Sequence, residues 1–115
     1  MIKVLVLEDN VSILEICESI LGSKFDVVGV DTPEKALSEF NNSFNVLLTD
    51  HDLGGTMNGT ELMLSLKERG YTFGTVLMSG LLNVLPVSEV NLFDRALAKP
   101  FEASDLFNSI EEVAK

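Results

Sequence analysis

Five short apolar runs recur along the chain, and four of them stop at a residue able to do chemistry. Residues 3–7 end in Val4-Leu5-Val6-Leu7 and meet Glu8-Asp9. Residues 45–49 close on Asp50, 75–78 on Ser79, and 95–98 on Lys99-Pro100. A further run occupies residues 25–30. Runs of four to six residues that are apolar at nearly every position read as strands buried on both faces.

Longer amphipathic stretches lie between them. Residues 11–22 read as a helix, with Asn10 as cap and Gly22 near its end. Thr32-Pro33-Glu34 carries a cap, a first-turn proline and an acid near the positive helix end, so a helix is expected from there to about Phe40. Another is expected over about 60–69, with Leu62, Met63 and Leu66 on one face, and a last one from near Ser104. Pro86 interrupts the helical pattern of 81–92, so a fourth helix there should be short or irregular.

Strands alternating with helices predict an α/β fold, a parallel sheet with helices on both faces and right-handed crossovers. For five strands the flavodoxin-like three-layer sandwich, in order 2-1-3-4-5, is expected. At 115 residues the chain suits one domain, read here as spanning 1–115.

Composition narrows the function. Eighteen acidic against eight basic residues give a net charge of −10, which speaks against a nucleic-acid-binding surface. The single cysteine, Cys17, permits no intrachain disulfide and falls among Ile13, Leu14, Ile16, Ile20 and Leu21, the setting of a core thiol. The apolar start is too short for a signal peptide, and no run approaches membrane-spanning length, so a soluble cytoplasmic protein is expected. Met1 favours an N-terminal or complete chain.

In open parallel sheets ligands bind beyond the carboxyl ends of the strands, where the strand order reverses. In the order 2-1-3-4-5 that point lies between the first and third strands, so Glu8, Asp9, Asp50, Asp52, Ser79 and Lys99 should gather on one sheet edge. Several carboxylates in one cleft repel unless a cation joins them, and oxygen-only ligands favour a hard ion such as Mg²⁺. An aspartate can serve as the nucleophile that becomes an acyl phosphate, a lysine can balance charge, and a hydroxyl can donate to a phosphoryl oxygen. Taken singly, each residue could equally start a turn or cap a helix; their joint occurrence at four strand ends favours a site.

Val4-Leu5-Val6-Leu7-Glu8-Asp9-Asn10, Leu47-Leu48-Thr49-Asp50, Leu77-Met78-Ser79-Gly80 and Ala98-Lys99-Pro100-Phe101, in this order and spacing, resemble a response-regulator receiver domain of two-component signalling over essentially the whole chain. The resemblance implies phosphorylation on Asp50. It implies Mg²⁺ held by Asp9 and Asp50, by Glu8 through water and by the backbone carbonyl of Asp52. Ser79, in place of the commoner threonine, and Lys99 would contact the phosphoryl group, and a cis peptide before Pro100 is permitted. The implied partners are a histidine kinase or phosphotransfer protein and a downstream protein effector. The implied role is a phosphorylation-controlled interaction switch, monomeric or weakly dimeric. It would be no enzyme beyond its own phosphoryl transfer and slow self-dephosphorylation.

The chain departs from the family pattern in three places. The aromatic expected three residues before the lysine is Ala96, which puts the usual link from site to surface in doubt; Phe93 or Phe101 could report instead, although a core role is the simpler reading of both. The segment from Ser79 to Lys99 is slightly short. The loop after Asp50 carries Gly54-Gly55 where many relatives have one proline. His51 is expected to point away from Asp50 by strand alternation, in a packing role. The side chain of Asp52 is expected to be solvated.

Two other functions compete. Asp50-His51-Asp52 has the Asp-x-Asp spacing of haloacid-dehalogenase-type phosphatases, but that motif normally closes the first strand of a larger domain. A receiver-like module that binds a partner without being phosphorylated is the other; keeping Asp9, Asp50, Ser79 and Lys99 together counts against it.

Overall fold

The computed structural model describes residues 1–55 and 57–115. Thr56, within the glycine-rich loop singled out above, lies outside them. Five strands and five α-helices alternate: β1 (Lys3–Leu7), α1 (Val11–Gly22), β2 (Asp26–Val30), α2 (Pro33–Glu39), β3 (Val46–Asp50), α3 (Gly59–Glu68), β4 (Gly74–Ser79), α4 (Val87–Val90), β5 (Arg95–Ala98) and α5 (Ala103–Val113). A 3-10 turn at Leu82–Val84 precedes α4. The strands form one parallel sheet in the order β2-β1-β3-β4-β5. The expected architecture is the observed one.

The strands alternate their side chains between two apolar layers, as the period of two requires. Val4, Val6, Val46, Leu48, Val76 and Met78 face Cys17 and Leu21 of α1 and Leu106 and Ile110 of α5. Leu5, Leu7, Leu47 and Leu77 face Ala36 of α2 and Leu62, Met63 and Leu66 of α3. Burial on both faces is why the central strands read as unbroken apolar runs. Cys17 is a core residue whose thiol is pushed up to about 11 by burial, so it stays a neutral, unreactive apolar group.

Helix starts follow the local chemistry. The Asn10 and Thr32 side chains accept hydrogen bonds from the backbone N–H groups of Ile13 and Lys35. Asn58 and Glu61 cap α3 reciprocally: each side chain accepts from the other residue's backbone N–H at 2.9 Å. The α4 region is truncated, as Pro86 requires. It has one helical turn and no buried residue, and Val84, Val87 and Leu92 are exposed around it.

Candidate functional site

Strand register sets the site. β1 and β3 are neighbours, with Leu7 opposite Thr49, so Glu8, Asp9 and Asp50 follow one another at the same sheet edge. Asp50 pairs with Met78, which puts Ser79 one position beyond it on the next strand; Ser79 in turn pairs with Ala98, just before Lys99. The order reverses between β1 and β3, and the acids lie where it does.

Glu8, Asp9 and Asp50 each place a carboxylate oxygen within 4.8 Å of the others. Glu8 is almost fully buried and Asp50 nearly so, whereas Asp9 is exposed. Although Asp9 meets solvent, partial desolvation at the cleft edge, followed by the neighbouring Glu8, pushes its carboxyl above the ordinary value. All the donors are oxygens, and only two of the three carboxylates, Glu8 and Asp50, pair with the one ammonium, so the set fits a hard divalent cation and suits no soft one.

That ammonium is Lys99. It forms a direct ion pair with Glu8 and lies 3.4 Å from Asp50 Oδ2. Burial works against its charge, but the Glu8 hydrogen bond and the Asp50 charge outweigh burial and hold its pKa above the ordinary lysine value. That Lys99 and Asp50 share one sheet edge was legible in the sequence. The tighter bond to Glu8 was not, and its cause is physical: a carboxylate sealed from water needs a partner, and Lys99 is the cation in reach. The Lys99–Pro100 peptide is cis.

Ser79 is buried at the head of β4, its hydroxyl oxygen accepting from the Leu81 N–H at 3.0 Å. Gly59 closes the opposite side of the loop: its N–H donates to the His51 carbonyl, and a Cβ there would stand 2.2 Å from the Asp50 carbonyl oxygen. Only glycine lets the start of α3 approach the end of β3 this closely.

His51 does point to the other face from Asp50, as strand alternation predicts, but its surroundings are polar. Its Nε2 lies 2.7 Å from Glu89 Oε1 and its Nδ1 lies 3.1 Å from Asp52 Oδ1. The Thr60 hydroxyl donates to the same Glu89 oxygen at 2.7 Å. Burial disfavours the imidazolium, yet the two carboxylates outweigh burial and raise the ring's pKa. Thr60 first and His51 second lower that of Glu89. Asp52 is otherwise solvated, as expected. Glu89 and Thr60 were invisible to sequence reasoning. Glu89 lies in the stretch that Pro86 makes unreadable, and nothing in spacing links it to residue 51.

Ala96 is half-buried against the α2/α3 layer; Phe93 is buried in that layer, and Phe101 packs on the α1/α5 layer. Phe93 is a core residue, and Phe101 is half-buried against the core. Among the described residues no helix is long and apolar enough to cross a membrane.

The family model for the response regulator receiver domain matches residues 4–111. No curated protein sequence matches the chain. Among solved structures, a CheY-like receiver domain from Methylobacillus flagellatus superposes with a TM-score of 0.86 at 23% identity, covering 97% of this chain and 98% of that one. A CheY-like receiver domain protein from Methanospirillum hungatei JF-1 gives 0.84 at 24%, covering 97% and 92%. The response regulator TrrA from Thermotoga maritima, solved in complex with Mg²⁺ and BeF, gives 0.84 at 16%, covering 97% and 98%. At these identities the structural likeness speaks for the fold; the family rests on the sequence match.

Proposed function

The chain belongs to the response regulator receiver domain family, and from that premise we propose that it is a switch phosphorylated on Asp50. The observation that carries this reading is the approach of Lys99 Nζ to Asp50 Oδ2, 3.4 Å apart, beside the Glu8–Asp9–Asp50 cluster. One Asp50 carboxylate oxygen attacks phosphorus, the bond from phosphorus to the donor's leaving group breaks, and an acyl phosphate forms. Lys99 balances the charge that the phosphoryl group brings, and the Ser79 hydroxyl, which only accepts from Leu81, has its own proton to donate to a phosphoryl oxygen. Asp9 and Asp50, with Glu8 and the Asp52 carbonyl, would hold Mg²⁺, whose contribution is to offset charge on the phosphoryl oxygens. The TrrA complex with Mg²⁺ and BeF supports that assignment by likeness of fold.

Residues 1–115 act as one receiver unit in this reading. A histidine kinase or phosphotransfer protein in the cytoplasm supplies the phosphoryl group, and a protein effector reads the result. The chain performs only its own phosphoryl transfer and slow self-dephosphorylation. The test is incubation with Mg²⁺ and acetyl phosphate, followed by intact-mass measurement. The expected result is the mass of one added phosphoryl group, absent in Asp50→Asn. An unchanged wild-type mass, with beryllofluoride also failing to perturb the protein, would establish instead a module that binds without being phosphorylated.

A further inference from the structure

His51 touches both ends of a mechanical link. Its backbone N–H donates to Asp50 Oδ1 at 2.9 Å, while sharing its proton with the Met78 carbonyl at 3.1 Å. Its ring, nearly buried, reaches Glu89 on α4 at 2.7 Å, where the Thr60 hydroxyl from α3 completes the junction. One residue therefore bonds both the side chain of Asp50 and α4.

The α4 segment has little else to hold it. It is one turn long and contains no buried residue; Val87 stands in solvent, as do Val84 before it and Leu92 after it. Leu82, Leu85 and Val90 pack only partly against the core. Against these, a buried ring joined to a carboxylate by a charge-assisted hydrogen bond is the strongest directional contact α4 makes among the described residues. Ala96, small and half-buried, offers no side chain able to swing between the site and this segment.

We propose that His51 is a positioning residue: a strut, completed by Glu89 and Thr60, that holds α4 in place and transmits the state of the Asp50 carboxylate to it. The coupling half rests on the reading of Asp50 as phosphoacceptor. When Asp50 Oδ1 is drawn toward a phosphoryl group, the acceptor of the His51 N–H is altered and residue 51 shifts. The ring, fixed to Glu89, carries that shift into Val87–Val90. No bond to His51 other than hydrogen bonds is made or broken.

The test compares wild type with His51→Leu and Glu89→Ala, the second removing the strut from the α4 side without touching the core. Amide hydrogen exchange is measured first without ligand. In both variants the amides of residues 89–91 should exchange about tenfold faster, the factor carried by one charge-assisted hydrogen bond, while β1 and β3 amides keep their protection. Unchanged exchange at 89–91 in Glu89→Ala would overturn the strut. Amide NMR shifts with Mg²⁺ and beryllofluoride are measured next. The response at Ser79 and Lys99 should persist in the variants and that at Val87–Val90 should collapse. A full α4 response in both variants would overturn the coupling. No response anywhere in wild type would overturn the coupling together with the phosphoacceptor reading, leaving the exchange measurement to decide the strut alone.

Discussion

The α-carbon of Gly59 faces the backbone of Asp50 so closely that an added methyl would come to 2.2 Å from the Asp50 carbonyl oxygen. Both the oxygen and the start of α3 are fixed: Asp50 belongs to the central strand β3, and α3 is pinned by the Asn58–Glu61 cap. Gly59→Ala must therefore displace one of them. A loss of about 2 to 3 kcal/mol in urea unfolding is expected. Beryllofluoride affinity should fall too, because the strain bears on Asp50. An Ala variant of unchanged stability would mean that the loop yields freely.

Lys99 compensates a carboxylate that water cannot reach. Lys99→Met would leave Glu8, 1% exposed, without its cation. Orphaning a buried carboxylate costs about 3 kcal/mol, measurable by urea denaturation without metal. Added Mg²⁺ should return part of that loss by supplying positive charge to the same cluster. A loss that Mg²⁺ leaves untouched would argue that packing of the lysine stem dominates.

Asp9 has the opposite sign. Its pKa lies above the ordinary aspartate value, through partial desolvation and the adjacent Glu8, so its ionised form is a cost to the metal-free fold. That cost is fully present at neutral pH and is relieved as pH falls through the raised value. Asp9→Asn should thus melt at a higher temperature than wild type in chelator. In wild type, millimolar Mg²⁺ should raise the melting temperature, and in the variant that gain should be largely lost. Differential scanning calorimetry reads both; an equal gain in the two proteins would remove Asp9 from the ion-binding set.

The junction around Glu89 has its own pH signature. Thr60 and then His51 hold the Glu89 carboxyl below the ordinary glutamate value. The stability it contributes is complete above that ordinary value and disappears as pH falls through the lowered one. Wild type should exceed Glu89→Gln in unfolding free energy near neutrality, and the gap should close on acidification. A gap that acidification leaves unchanged would show that the charge of Glu89 does not carry it, and no gap at any pH would show that the neutral amide bonds His51 and Thr60 equally well.

Much of this molecule follows from local chemistry. Apolar runs at 3–7 and 45–49 can be satisfied only by burial on both faces, so a covered parallel sheet was readable from the chain alone. Its helix starts were readable too, since Asn10, Thr32 and Pro33 act on backbone groups within one turn. The polar residues that end β1, β3, β4 and β5 were legible as a set, because a parallel sheet puts all its strand ends on one edge. What local chemistry cannot specify is a distance across the fold. That Glu8 rather than Asp50 takes the closest bond of Lys99 depends on how deeply each carboxylate is sealed. That His51 meets Glu89, across a proline-broken segment with no periodic pattern, depends on where α3 and α4 settle over the sheet. Those contacts join residues far apart in sequence, and their geometry is set only when the whole core packs.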